Sequence, residues 1–183
     1  MAFQNKTIFN RKTGQAIRFL QTAKETGGEL LEMEASFNPN SKEPAPHYHP
    51  HQAEDFTVMK GELTVRIDGK LKTLRQGDTL HVPTNKVHSM WNHSDQVTVI
   101  NWKVRPALDT DHFLETAIGI ANNGKTDSNG MPGILQVALL ANKYNKVFRL
   151  AKPSFVMQKV IFTLLAPLAY LFGYRSTYKK YID

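Results

Sequence analysis

Between residues 16 and 105, apolar positions come in short runs, and several of these runs alternate apolar with polar residues. The runs are AIRFL (16–20), ELLEMEASF (29–37), DFTVM (55–59), ELTVRI (62–67), DTLHV (78–82) and VTVINWKV (97–104). Alternation puts one set of side chains on each face of a sheet, so it predicts half-buried strands. Turn-forming stretches separate the runs: TGG, FNPNS, the Asp-Gly of IDGK, QGD, PTN and NHSDQ. Asp-Gly between LTVRI and LKTL is a strong signal for a tight hairpin. Short strands this closely spaced predict an antiparallel sandwich or barrel.

The period changes near Pro106. Residues 109–121 (DTDHFLETAIGIA) take helical spacing, with Asp109 or Thr110 placed to cap the N-terminus. A polar, Gly-rich loop is expected over 122–133, then a helix over 134–151 and another over 154–173. The expected organisation is therefore a β domain over 1–106 and a helical C-terminal extension over 107–183. The segment 154–173 is apolar nearly all round, which suits a buried or membrane-associated helix. Three dispositions follow: packed on the barrel or in a homodimer interface, laid on an anionic membrane surface, or spanning a bilayer. Pro167 and Lys159 disfavour the span.

Composition narrows this picture. The chain has 183 residues, 41% of them apolar and 21% charged, which is globular. It has no cysteine, so disulfides and thiolate metal sites are excluded. The net charge of +7 is uneven, because residues 112–183 carry nine Lys/Arg against three acidic residues. Such a basic part attracts anionic partners. Nucleic acid is not expected among them, since 154–173 is too apolar for a recognition helix. The first residues form no apolar leader, and a cytoplasmic protein is expected.

The candidate chemistry lies in PAPHYHPHQAEDFTVMKGE (44–62) and GDTLHVPTNKVHSMWN (77–92). His47 and His49 are two residues apart and share a strand face, with Glu54 close behind. His88 follows the turn Pro83–Asn85. Three neutral imidazoles and a carboxylate suit one divalent Fe, Mn, Ni, Cu or Zn ion. An octahedral ion would keep two positions open, whereas tetrahedral zinc would keep none. His51 fits the same alternation and His81 lies on the second stretch, so both are candidates for the pocket or its rim. Phe56, Met90, Trp91 and Trp102 are candidate pocket or core residues.

The two stretches resemble the paired motifs of the cupin superfamily. His47-x-His49, four residues, Glu54, six residues and Gly61 match the first. Gly77, five residues, Pro83-x-Asn85, two residues, His88, three residues and Asn92 match the second, with Asn85 where the family has glycine. The opening glycine of the longer first motif is replaced by the region of Pro44 and Pro46. The resemblance implies a double-stranded β-helix, or jelly-roll barrel, in which His47, His49, Glu54 and His88 converge on one divalent metal. The layout as a whole is similar to bacterial cupins of uncharacterised function with helical tails, in the phrases Phe113–Thr116, Gly124–Thr126, Arg149–Pro153 and Leu165–Tyr174.

Two functions from different classes follow. One is an oxygenase-like enzyme acting on a small apolar or aromatic compound that reaches the metal through oxygen atoms, such as a catechol, flavonol or diketone, with Glu54 as ligand and candidate base. The other is a non-catalytic barrel that binds or senses a small molecule.

Overall fold

A computed structural model describes residues 2–127 and 130–182. The strands before the first helix are β1 (Thr7–Phe9), β2 (Ala16–Gln21), β3 (Leu31–Phe37), β4 (His47–Tyr48), β5 (Ala53–Lys60), β6 (Glu62–Ile67), β7 (Lys70–Arg75), β8 (Thr79–Val82), β9 (His88–Trp91) and β10 (Thr98–Arg105). Then come α1 (Thr110–Asn122), α2 (Ile134–Lys143), β11 (Arg149–Leu150), α3 (Phe155–Leu171) and α4 (Lys179–Ile182). One sheet has the order β1-β2-β3-β10-β5-β8 and the other β11-β4-β9-β6-β7, with antiparallel pairing throughout. This is the antiparallel β architecture that the alternating runs predict and the jelly-roll that the motif resemblance implies, followed by a helical extension.

The alternation explains the core. Leu31, Met33, Ala35 and Phe37 of β3 are buried, while Glu32, Glu34 and Ser36 between them are not. Phe19, Phe56, Val58, Leu63, Val65, Leu74, Ile100 and Val104 complete one apolar cluster between the sheets. The IDGK hairpin joins β6 and β7, with Asp68 and Gly69 both at positive φ, as a two-residue turn of this hand requires. Gly61 turns β5 into β6 at φ +76°, and a Cβ there would meet the Val97 carbonyl oxygen at 2.7 Å. Both the backbone angle and the close approach restrict this motif position to glycine.

The helical part differs from expectation at one place that matters. The apolar spacing of 134–151 predicts one helix, but α2 ends at Lys143. Residues 144–150 run instead as a strap back to the barrel, where Arg149 pairs with Tyr48 and Leu150 with His47. Tertiary burial overrides local spacing here. Tyr144 and Val147 are buried with Ile120 and Leu140 in a second small core, against which Phe113, Phe148, Tyr178 and Tyr181 pack. Asp109 occupies the N-cap position of α1 without a side-chain capping bond. What seats that end is Gln52 Nε2, which lies 2.8 Å from Pro106 O, 2.9 Å from Ala107 O and 2.7 Å from Thr110 Oγ1. The loop over 122–133 includes residues 128–129, which lie outside the described residues, and Thr126 bridges to Pro132 across it. The helix α3 packs along α2. Among the described residues, no helix is long and apolar enough to cross a membrane.

Candidate metal centre

Adjacent strands bring two of the histidines together, since His47 on β4 is the direct partner of His88 on β9. Their ring centroids are 4.5 Å apart, and that of His49 is 5.1 Å from His47 and 5.3 Å from His88. One ring nitrogen from each of the three lies within 4.8 Å of the others. Glu54, at the start of β5, is fully buried beside them. Its Oε2 is 2.9 Å from His88 Nε2 and 3.3 Å from His49 Nε2.

The hydrogen bonds around the cluster decide which atoms face inward. Nδ1 of His47 lies 3.1 Å from Ala45 O, that of His88 is 2.9 Å from Lys86 O, and that of His49 is 2.5 Å from Val147 O. A carbonyl only accepts, so each Nδ1 carries the proton and each Nε2 presents a lone pair. Trp102 Nε1–H donates to Glu54 Oε1 at 3.0 Å, which leaves Oε2 turned to the histidines. His49 Nε2, His88 Nε2 and Glu54 Oε2 are buried atoms without an aligned hydrogen-bond partner. Buried polar atoms rarely stay unsatisfied. Three such atoms converging with the nitrogen of His47 are a donor set that fits a divalent cation, with outer partners already fixing each ring.

The electrostatics of the histidine–carboxylate cluster point the same way. Burial, together with the neighbouring His88 and His49, pushes the His47 imidazole down to about 3, so it is neutral. Burial opposes charge on His49 too, but Glu54 and the Val147 carbonyl outweigh it and raise that ring. Burial would raise the Glu54 carboxyl; His49 and His88 reverse this and hold it well below the usual carboxylate range. The cluster thus keeps a carboxylate ionised inside an apolar wall.

A cavity of about 520 Å³ opens onto His47, Glu54, Met90 and Trp102. Its outer part is formed by the β1–β2 and β3–β4 loops, with Arg11, Lys12 and Lys42. The strand period sorts the other candidates. On β9, His88 and Met90 share a face, so Trp91 points to the other side, where Arg66 sits 5.7 Å from its ring. On β5, Glu54, Phe56 and Val58 face inward, and Phe56 stacks behind Trp102 in the core instead of lining the cavity. His81 pairs across the strands with Asp55, on the outer face. Its Nδ1 is 2.7 Å from Asp55 Oδ1, and the residue is exposed. His51 is exposed as well, one residue before the buried Gln52, and lies outside the histidine cluster.

The second motif is physically accountable at its departure and at its end. Asn85 adopts φ +62°, the conformation that glycine would supply, and its N–H donates to the His49 carbonyl at 2.8 Å. The turn before His88 therefore also fixes the backbone of His49. Asn92 is buried and donates through Nδ2 to Gln96 O at 2.6 Å and Asn38 O at 3.0 Å, so it ties loops and not the centre. The strap residues Val147 and Phe148 were not legible as site residues, because the helical spacing around them masks the strap. The Phe148 ring lies 4.6 Å from His47 at an interplanar angle of 25°.

Comparison with known proteins agrees with this geometry. Residues 33–102 match the cupin domain family. Over 75 residues the chain is 36% identical to quercetin 2,3-dioxygenase of Bacillus subtilis, a match covering 41% of this chain and 22% of that protein. Over 64 residues it is 38% identical to an uncharacterised protein of Aquifex aeolicus, covering 35% of this chain and 52% of that one. The chain thus spans about a fifth and about half of the lengths of these relatives. Among solved structures, a predicted oxalate decarboxylase from Thermotoga maritima superposes with a TM-score of 0.50 at 16% identity, over 58% of this chain and 99% of that one. At that identity the likeness concerns the fold alone. The fold and the motif pair define a jelly-roll barrel with a three-histidine cluster. Residues 33–102 of the chain carry a cupin domain.

Proposed function

We propose that the barrel holds one divalent metal ion through His47, His49, Glu54 and His88 and serves an oxygenase-like reaction on a small apolar or aromatic compound that carries oxygen donors. The observation that supports this most is the inward set of Nε2 and Oε2 atoms, unsatisfied while every outward atom is bonded. A redox-active ion bound there would supply Lewis acidity and electron transfer with dioxygen. The partial likeness to a quercetin dioxygenase favours a compound of flavonol or catechol type.

The residues of the chain would bind, orient and exclude water. His47, His49 and His88 offer fixed lone pairs, because their carbonyl partners prevent ring rotation. Glu54 supplies a fixed negative charge. Its carboxyl is held too far below the usual range to be an effective proton acceptor at neutral pH, so its role is ligand more than base. Met90 and Trp102 give the inner cavity an apolar lining that would receive an aromatic ring.

The test is metal analysis of protein purified without chelator, followed by oxygen uptake with catechols, flavonols and diketones on iron-, manganese-, nickel-, copper- and zinc-loaded samples. The enzyme reading expects turnover with a redox-active ion and none with zinc. Ligands that raise the melting temperature equally with every ion, without being consumed, would assign the barrel to binding or sensing instead.

A further inference from the structure

We propose that α3 is a docking helix that lies along an anionic membrane surface. The helix buries Gln158, Phe162 and Ala169 against the rest of the chain. On the other side Val156, Met157, Val160, Ile161, Leu164, Leu168, Leu171 and Phe172 are all exposed. Leu164 keeps 74% of its surface in solvent and Leu171 keeps 82%. At helical spacing these residues, with Pro167 among them, fall in one unbroken apolar arc of roughly 160°. An apolar face of this size on a soluble surface marks an interaction site.

Charge decides what covers it. Residues 130–182 contain eight Lys/Arg and no Asp or Glu. Lys143, Lys146, Lys152, Lys159, Arg175, Lys179 and Lys180 are exposed. Lys159 sits on the flank of the arc, and the others bracket α3 in sequence. A second copy of the same face would bring the cations around one apolar arc toward those around the other, and residues 130–182 offer no acidic residue to pair with them. An anionic bilayer meets both requirements, since acyl chains receive the arc and headgroups receive the cations. The helix lies in the plane of the interface, because α3 is not long and apolar enough to cross the bilayer. The path from this helix to the metal centre is short in sequence: α3 begins five residues after Leu150, whose β-partner is His47.

The experiment is flotation of the full-length protein with vesicles of phosphatidylcholine alone and of phosphatidylcholine mixed with phosphatidylglycerol, at low and high salt. The protein is expected to float with the mixed vesicles only, and to be released by high salt. Leu164→Glu with Leu171→Glu, and separately Lys179→Glu with Lys180→Glu, should each lower the bound-to-free ratio on the order of tenfold. All four side chains are exposed, so unchanged melting temperature and metal content would show that the fold is intact. Absence of flotation with either vesicle would overturn the proposal. So would equal flotation with both vesicles that charge reversal leaves unchanged. A wild-type dimer in sedimentation that the leucine variant converts to monomer, with no vesicle binding, would assign the face to a second copy.

Discussion

The ring of Phe148 stacks on His47 with centroids 4.6 Å apart, and on its other side stacks on Phe113 at 5.0 Å. A three-ring column therefore runs from the histidine cluster into the helical extension. The strap that carries Phe148 also supplies the Val147 carbonyl to His49. The C-terminal part is thus a wall of the site as well as an appendage to the barrel. Replacing Phe148 by Ala should remove that wall and cost about 1–3 kcal/mol of stability. It should also loosen His47 and weaken metal binding, whereas Phe148→Leu should recover most of the stability and little of the ring stacking. Denaturant unfolding and metal titration check this, and an alanine variant that matches wild type in both would show the column to be idle.

Removal of a donor gives the most direct test of the centre. His88→Ala deletes an inward Nε2 without touching the apolar cluster between the sheets. Metal content by elemental analysis should fall about tenfold or more. The far-ultraviolet circular dichroism spectrum should stay that of a folded barrel. Equal metal content in variant and wild type would remove His88 from the ligand set.

How much of this was legible in the sequence depends on range. Strands whose partners alternate in and out, such as Leu31–Phe37, declare themselves because burial on one face writes a period of two. The convergence of His47, His49, Glu54 and His88 was implied by the resemblance to the paired cupin motifs, whereas strand alternation by itself placed only His47 and His49 on one face. The faces of Trp91 and His81 needed the register: each is one residue from an inward neighbour, and a shift of one flips the side. The strap at 144–150 was hidden for a different reason. Its apolar residues continue the helical spacing of α2, and only contacts far along the chain, to His47 and to Phe113, end the helix early.

Trp102 is the outer partner of Glu54. Its Nε1–H donates to Oε1 at 3.0 Å and so aims Oε2 at the histidines. Trp102→Phe keeps a ring to stack on Phe56 but removes the donor. The carboxylate then loses its orientation, and metal affinity should weaken roughly tenfold, with a stability loss of about 1–3 kcal/mol from the orphaned oxygen. Isothermal titration with the metal found in the purified protein measures the first quantity. Affinity unchanged within error would mean that neighbouring strands alone orient Glu54.

The metal-free protein should have a stability maximum in pH that loaded protein lacks. His47 is depressed to about 3 from an ordinary value of 6.5, so the folded state disfavours its protonation. The stability it contributes is complete above about pH 6.5 and falls as pH drops toward about 3, because the unfolded chain takes up the proton first. Glu54 is also depressed, and its contribution is lost at still lower pH, as acid protonates it in the folded state. His49 is raised, so its contribution has the opposite sign of pH dependence. It is complete below the ordinary histidine value and disappears as pH rises through the raised value. Thermal unfolding of chelator-treated protein between about pH 4 and about pH 9 should therefore decline on both sides of an optimum. A proton on His49 Nε2 competes with a metal for the same lone pair, and the raised ring holds it to higher pH than a free imidazole does, so metal binding should displace it. Calorimetric titration in buffers of different ionisation enthalpy reads that proton. In a His49→Ala variant both the alkaline decline and the released proton should vanish. Their persistence would place the titration on another group.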